Sequence, residues 1–102
     1  MDEIKIAWTE IAQKQRKLIF EHYNARNKSF NYNKKLKFEI KEYTNLLKQQ
    51  PEIGKKIKNT GFRNIFLGNY SLVYKRKSNI IYIAALWDNR QNPEKLKTIL
   101  GL

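Results

Sequence analysis

Between Phe62 and Trp87 the chain passes through three strand-length apolar segments divided by short turns, and this spacing constrains the fold more than any other feature. Phe62 to Leu67 and Tyr70 to Lys75 flank Gly68-Asn69, a pair suited to a type II′ hairpin turn with glycine at the positive-φ position. Lys77-Ser78-Asn79 makes the next turn. Ile80 to Trp87 is continuously apolar, as expected of a central strand covered on both faces. Cations crowd the margins of this apolar sheet, so it reads as a scaffold that presents positive charge to a polyanionic or acidic partner.

The rest of the chain supplies what packs on those strands. Ile4 and Ile6 alternate with Lys5, and Trp8 follows, which predicts a short first strand. Thr9 suits a helix N-cap, with Glu10 in the first turn where the helix dipole favours a carboxylate. Ile11, Ala12, Leu18, Ile19 and Tyr23 then share a helical face, and the polar run from Asn24 to Ser29 is expected to break that helix. Tyr32, Leu36, Ile40, Tyr43 and Leu47 repeat every three or four residues, predicting a second helix that Gln49-Gln50-Pro51 stops. Pro51 to Gly61 is polar and basic and reads as a loop. Asn92-Pro93 is a helix start, with an Asn N-cap and Pro at the first helical position. Leu96, Ile99 and Leu100 give that short helix an apolar edge. The order β-α-α-β-β-β-α predicts an α+β fold. The N-terminal strand and an αα-hairpin pack on a small curved, mainly antiparallel four-stranded sheet, with a short C-terminal helix. Residues 1–102 are enough for one domain with one modest core and no second.

Charge is the outlier of the composition: 21 Lys and Arg against 9 Asp and Glu give a formal net charge of +12. The excess is uneven. Residues 53–102 carry ten basic side chains against two acidic ones, whereas residues 1–52 carry eleven against seven. Such a field steers a protein toward nucleic acid or an acidic polypeptide. No segment approaches the ~20 apolar residues of a membrane helix. The N-terminus is acidic where a secretory signal would be basic, so a cytoplasmic location is expected.

Several chemistries are disfavoured by subtraction. The chain has no cysteine and one histidine, His22, so a thiolate metal site is excluded and a zinc site would need carboxylates that form no ligand-spaced cluster. A Ser-His-Asp or Cys-His nucleophile system would have to use His22, and nothing points a nucleophile at it. The four glycines stand singly, so no phosphate-cradling loop exists and no cofactor is expected.

What remains is cations with aromatics. Lys55, Lys56 and Lys58 cluster ahead of the hairpin, Arg63 sits on its first strand, Lys75, Arg76 and Lys77 lie at a turn, and Arg90 follows the last strand. Tyr70, Tyr74, Tyr82 and Trp87 are interspersed. Guanidinium groups bind phosphate bidentately and aromatic faces stack on bases, so the set suits RNA. Tyr70, Leu72 and Tyr74 share a sheet face and read equally as core. Arg63 and Arg90 are the leading candidates, because an arginine among strand apolars needs a partner for its charge. Both are expected on one docking face.

With these residues in place the chain resembles the RelE/ParE superfamily of toxins from bacterial type II toxin–antitoxin modules. The likeness runs through the first strand, the helical hairpin ending at Leu46-Leu47 and Pro51, and Gly61-Phe62-Arg63. It continues through Tyr70-Ser71-Leu72-Val73-Tyr74, then the final strand into Asp88-Asn89-Arg90-Gln91-Asn92-Pro93. The resemblance implies growth inhibition, a part in plasmid stabilization, and a cognate antitoxin with an acidic, flexible tail lying across the helical hairpin and the sheet edge. RelE-like members cleave messenger RNA on the ribosome, and ParE-like members poison DNA gyrase. RelE-like chains place a basic residue before the Leu-Val-Tyr of the second hairpin strand, where this chain has Ser71. They often place a tyrosine six residues after the last arginine, where it has Leu96. Other relatives use a C-terminal His-Tyr pair, and no histidine follows His22 here.

The expected function is therefore a ParE-like toxin that binds its target, DNA gyrase. One alternative is a RelE-like endoribonuclease using Arg63, Arg90, Tyr82 and the Lys55 to Lys58 cluster. Another is a small basic nucleic-acid-binding module. As target or nucleic-acid contacts the sequence offers Lys55, Lys56, Lys58, Arg63, Lys75, Arg76, Lys77, Trp87 and Arg90.

Overall fold

The computed structural model describes residues 3–27 and 30–102, and side chains outside 22–33. The element order is β1 (Lys5–Trp8), α1 (Glu10–Asn27), α2 (Phe30–Gln49), β2 (Lys55–Lys56), β3 (Arg63–Leu67), β4 (Tyr70–Lys77), β5 (Ile80–Asp88) and α3 (Pro93–Ile99). These strands form one sheet in the order β1-β5-β4-β3-β2, with β1 parallel to β5 and the other neighbours antiparallel. The fold is α+β as expected, with five strands rather than four. The added strand is β2, where Lys55 and Lys56 pair with Asn64 and Arg63. Two lysines carry no apolar alternation, so the segment reads as a loop, although lysine is what a sheet edge favours.

Sequence signals set the termini of the elements. Thr9 caps α1: its Oγ1 accepts from the Ala12 N–H at 3.2 Å. Asn92 caps α3, its Oδ1 accepting from Glu94 N–H at 3.0 Å, with Pro93 at the first helical position. Gly68 has φ +62° while Asn69 keeps a negative φ, which is the type II′ pattern. α1 runs to Asn27, so the polar run from Asn24 does not stop it at once. Asn and Arg each cost a helix only about 0.7 kcal/mol or less, too little to end one that is already propagating. The expectations for His22, Tyr23 and Tyr32 fall outside the described side chains.

The core lies between the hairpin and one sheet face. Ala12, Leu36, Ile40 and Leu47 from the helices meet Ile65, Leu67, Tyr70, Leu72, Tyr74, Ile81, Ile83 and Leu86, all buried. Two expected α1 core residues are instead exposed: Ile11 at 47% and Leu18 at 64%. Each precedes a buried or half-buried neighbour, Ala12 and Ile19. A rotation of ~100° per residue turns them off the buried stripe.

β5 changes its aim halfway. Val73 pairs with Ala85 and Tyr74 with Ile83, so Ala84 is a bulge with no partner on β4. Before it Ile81 and Ile83 face the helices; beyond it Leu86 does, while Ala85 and Trp87 turn to the other face. β5 is therefore not covered on both faces throughout, and Tyr82 is 37% exposed.

Candidate functional site

Arg63 is used inside the molecule. It opens β3 opposite Tyr74, and its NH1 donates to the carbonyls of Glu52 (3.1 Å) and Gly54 (2.8 Å). Tyr74, fully buried, grips the same corner: its hydroxyl accepts from Gly54 N–H at 2.8 Å and donates to the Pro51 carbonyl at 3.0 Å. Gly54 is required there, since a Cβ would stand 2.6 Å from the Tyr74 hydroxyl oxygen. Burial raises the Tyr74 phenol above its ordinary pKa, opposed by the Gly54 N–H bond and the nearby Arg63 charge. The guanidinium expected to meet a ligand thus fastens the turn that carries β2.

Arg90 lies at the far end of β4. Its Nε and NH2 donate to Asp88 Oδ1 and Oδ2, each at 2.9 Å, and its backbone N–H donates to Oδ1 at 2.9 Å. The guanidinium carbon is 6.0 Å from the Tyr70 ring centroid. The Arg90 hydrogen bond is the main reason the Asp88 carboxyl sits below its usual range. Asp88 pairs with Tyr70 and Arg63 with Tyr74. Four β residues at ~3.3 Å each put the two arginines' anchor points about 13 Å apart along the strand. Arg63 and Arg90 therefore lie at opposite ends of β4 and do not converge on one point. Beside Arg90 a cleft of about 700 Å³ opens between α1 and β5, lined by Gln15, Leu18, Ile19, Tyr70 and Leu86. Gln15 Oε1 accepts from Leu86 N–H at 2.8 Å there, beyond the end of β1.

The lysines divide by register. Lys55, beside Asn64, belongs to the sheet face turned away from the helices, as do Lys75, Lys77 and Tyr82. Lys56, beside Arg63, belongs to the other face, and Arg76 donates to the Ser78 carbonyl at 2.8 Å. Lys58 is exposed in the turn between β2 and β3. Trp87 is 6% exposed, which removes its ring from any docking surface. The Ala84 bulge, which no residue pattern announced, sets it on the sheet face that carries Tyr82, where Ser71, Val73 and Ala85 are buried as well. Ser71 is also buried, and its hydroxyl donates to Asn89 Oδ1 at 2.7 Å.

The sequence reading missed Phe66, 61% exposed on the sheet face that carries Tyr82, and Lys5 at the edge of that face. Counting outward positions from the buried Ile65 and Leu67 would have found Phe66. Among the described residues no group of three His, Cys, Asp or Glu could hold a metal ion, and no helix is long and apolar enough to cross a membrane.

A second groove, of about 480 Å³, lies between the two long helices. Trp8, Phe20 and Ile40 line it together with Arg16, Lys37 and Lys41. The Arg16 guanidinium carbon stands 4.2 Å from the Trp8 ring centroid, and Lys37 Nζ 5.1 Å from that of Phe20. Both are cation–π distances.

Comparisons with known proteins bear on this geometry. The family model for the ParE toxin of type II toxin–antitoxin systems, parDE, matches residues 6–93. A solved structure described as the chromosomal ParDE TA system from P. aeruginosa superposes with a TM-score of 0.68 at 22% identity, covering 82% of this chain and 94% of that one. At that identity the superposition speaks to the fold. No curated protein matches the chain.

Proposed function

This chain belongs to the ParE toxin family of type II toxin–antitoxin systems, and from that premise we propose that it arrests growth by docking onto DNA gyrase rather than by cutting a substrate. The observation that carries this reading is the state of the groups a nuclease would need. Cleavage through a ribose hydroxyl asks for a base, an acid for the leaving group and cations converging on the phosphate. Ser71, at the position where a basic residue would serve, is buried and bonded to Asn89. Arg63 is occupied by two backbone carbonyls, and Arg90 lies at the other end of β4. Docking needs no such convergence, and Arg90, with a side chain 57% exposed beside the larger cleft, is the contact assigned to the target.

Membership of the family implies an antitoxin partner. We assign the groove between the helices to that antitoxin's tail: its lining combines three apolar side chains with three cations and no carboxylate. An acidic segment with apolar anchors fits such a lining.

The test compares two activities of the purified toxin. Docking on gyrase predicts trapped gyrase–DNA cleavage complexes and intact mRNA on translating ribosomes, with trapping lost in Arg90→Ala. Ribosome-dependent mRNA cleavage without gyrase trapping would refute the reading.

A further inference from the structure

The sheet face turned away from the helices combines unopposed positive charge with exposed aromatic rings, and we propose that it binds single-stranded nucleic acid. This site is separate from the Arg90 cleft and from the groove between the helices.

Register defines the face. Lys77 and Lys5 flank Ile80, Lys75 and Ala7 flank Tyr82, Lys55 stands beside Asn64, and Phe66 lies across from Ser71. Lys5, Lys55, Lys75 and Lys77 are all exposed. The five strands contain one carboxylate, Asp88, and its partner Tyr70 puts it on the core face. No negative side chain of the strands therefore screens these four lysines. A face carrying only one sign of charge selects a polyanion.

The aromatics select the kind of polyanion. Phe66 is 61% exposed and Tyr82 37%, whereas Ser71, Val73, Ala85 and Trp87 on the same face are buried. Lys75 reaches toward a third ring, its Nζ 5.3 Å from the centroid of Phe62. Lys75 thus stands between Phe62, the residue before β3, and Tyr82 on β5, an aromatic-cation-aromatic row. Exposed rings at intervals with lysines between them can stack on successive unpaired bases while the ammonium groups follow the backbone. In a duplex the base faces are hidden in the stack, so the rings would have nothing to cover. An acidic chain without apolar side chains, such as polyglutamate, would satisfy the lysines but leave the rings exposed.

Fluorescence anisotropy tests this on the full chain, with labelled dT12 and U12, a 12-base-pair duplex and a 12-residue polyglutamate. Either single strand should bind at least tenfold more tightly than the duplex. The affinity should fall with salt at a log–log slope of about −2 to −3 for three or four lysine contacts. K75E/K77E should weaken binding at least tenfold, and the charge-matched K34E/K48E on α2 less than threefold. Tyr82→Ala should weaken it about fivefold with the salt slope kept, and Tyr82→Phe should restore it. Circular dichroism and melting curves report whether each variant folds. A preference between dT12 and U12 assigns the ligand to DNA or RNA, and either one supports the proposal. Equal or tighter duplex binding overturns it, as does no binding at all. Equal losses from the two double reversals, or displacement by polyglutamate at equal charge, would show that net charge alone is being read and would also overturn it.

Discussion

Removing one oxygen from the Tyr74 side chain tests the account of the corner at Pro51–Gly54. In Tyr74→Phe the ring still fills its site, so no cavity forms and little apolar burial changes. The variant loses the acceptor for Gly54 N–H and the donor to the Pro51 carbonyl. Tyr74 is 0% exposed and Gly54 is buried, so water does not replace either partner without opening the corner. One buried donor left unpaired costs about 1–3 kcal/mol, and the carbonyl bond adds about 1. The expected loss is therefore about 2–4 kcal/mol, read as a lower urea midpoint at unchanged m-value. In a domain near this size each kcal/mol moves Tm by about 4–8 °C, so a fall of at least 8 °C is expected. The pH dependence supplies a second signature. Burial raises the folded-state pKa of Tyr74 above its unfolded value, so the contribution of the neutral phenol is fully present below pH ~10 and is lost as pH rises through the folded pKa. The stability gap between wild type and Tyr74→Phe should narrow above pH ~10. A gap below ~0.5 kcal/mol at neutral pH would refute the clamp, because an unpaired buried donor cannot cost so little.

Trp87→Ala should cost about 3–5 kcal/mol by chemical denaturation, the range for emptying a buried tryptophan site, whereas Tyr82→Ala should cost less than about 1. Ser78 holds φ +57° in the turn between β4 and β5, so Ser78→Gly should raise stability by up to about 1 kcal/mol, seen as a higher Tm. Asp88→Asn should cost about 0.5–1 kcal/mol at pH 7, because the pair with Arg90 is partly exposed. The Asp88 folded pKa is depressed, so its contribution is present above the unfolded value and lost as pH falls through the folded one. Urea titrations below pH ~4 should accordingly find wild type and Asp88→Asn converging.

Features set by local chemistry were legible in the chain. The caps at Thr9 and Asn92, the turn at Gly68-Asn69 and the α2 stripe through Leu36, Ile40 and Leu47 each depend on residues within a few positions of one another. Long-range pairing was not. β2 exists because Lys55 and Lys56 meet Asn64 and Arg63 across a turn, and two lysines have no pattern that predicts it. The Ala84 bulge is an agreement between β4 and β5, and it decides which sheet face Trp87 occupies.

The two arginines failed to converge for a physical reason. An arginine among strand apolars demands a partner, and that argument was correct for both Arg63 and Arg90; what it could not tell was where the partner comes from. A planar guanidinium suits two fixed acceptors at once. The Glu52 and Gly54 carbonyls at one end of the sheet, and the Asp88 carboxylate at the other, supply such acceptors. Lysine is more strongly hydrated and carries a compact charge on a flexible stem, so folding leaves it in water. Lys5, Lys55, Lys75 and Lys77 were consequently left on the sheet face with no strand carboxylate to meet. The cations most conspicuous in the sequence are thus the ones the fold uses for itself at Arg63 and engages at Arg90. The charge on that sheet face resides in lysines, of which the sequence reading named Lys55, Lys75 and Lys77 and passed over Lys5.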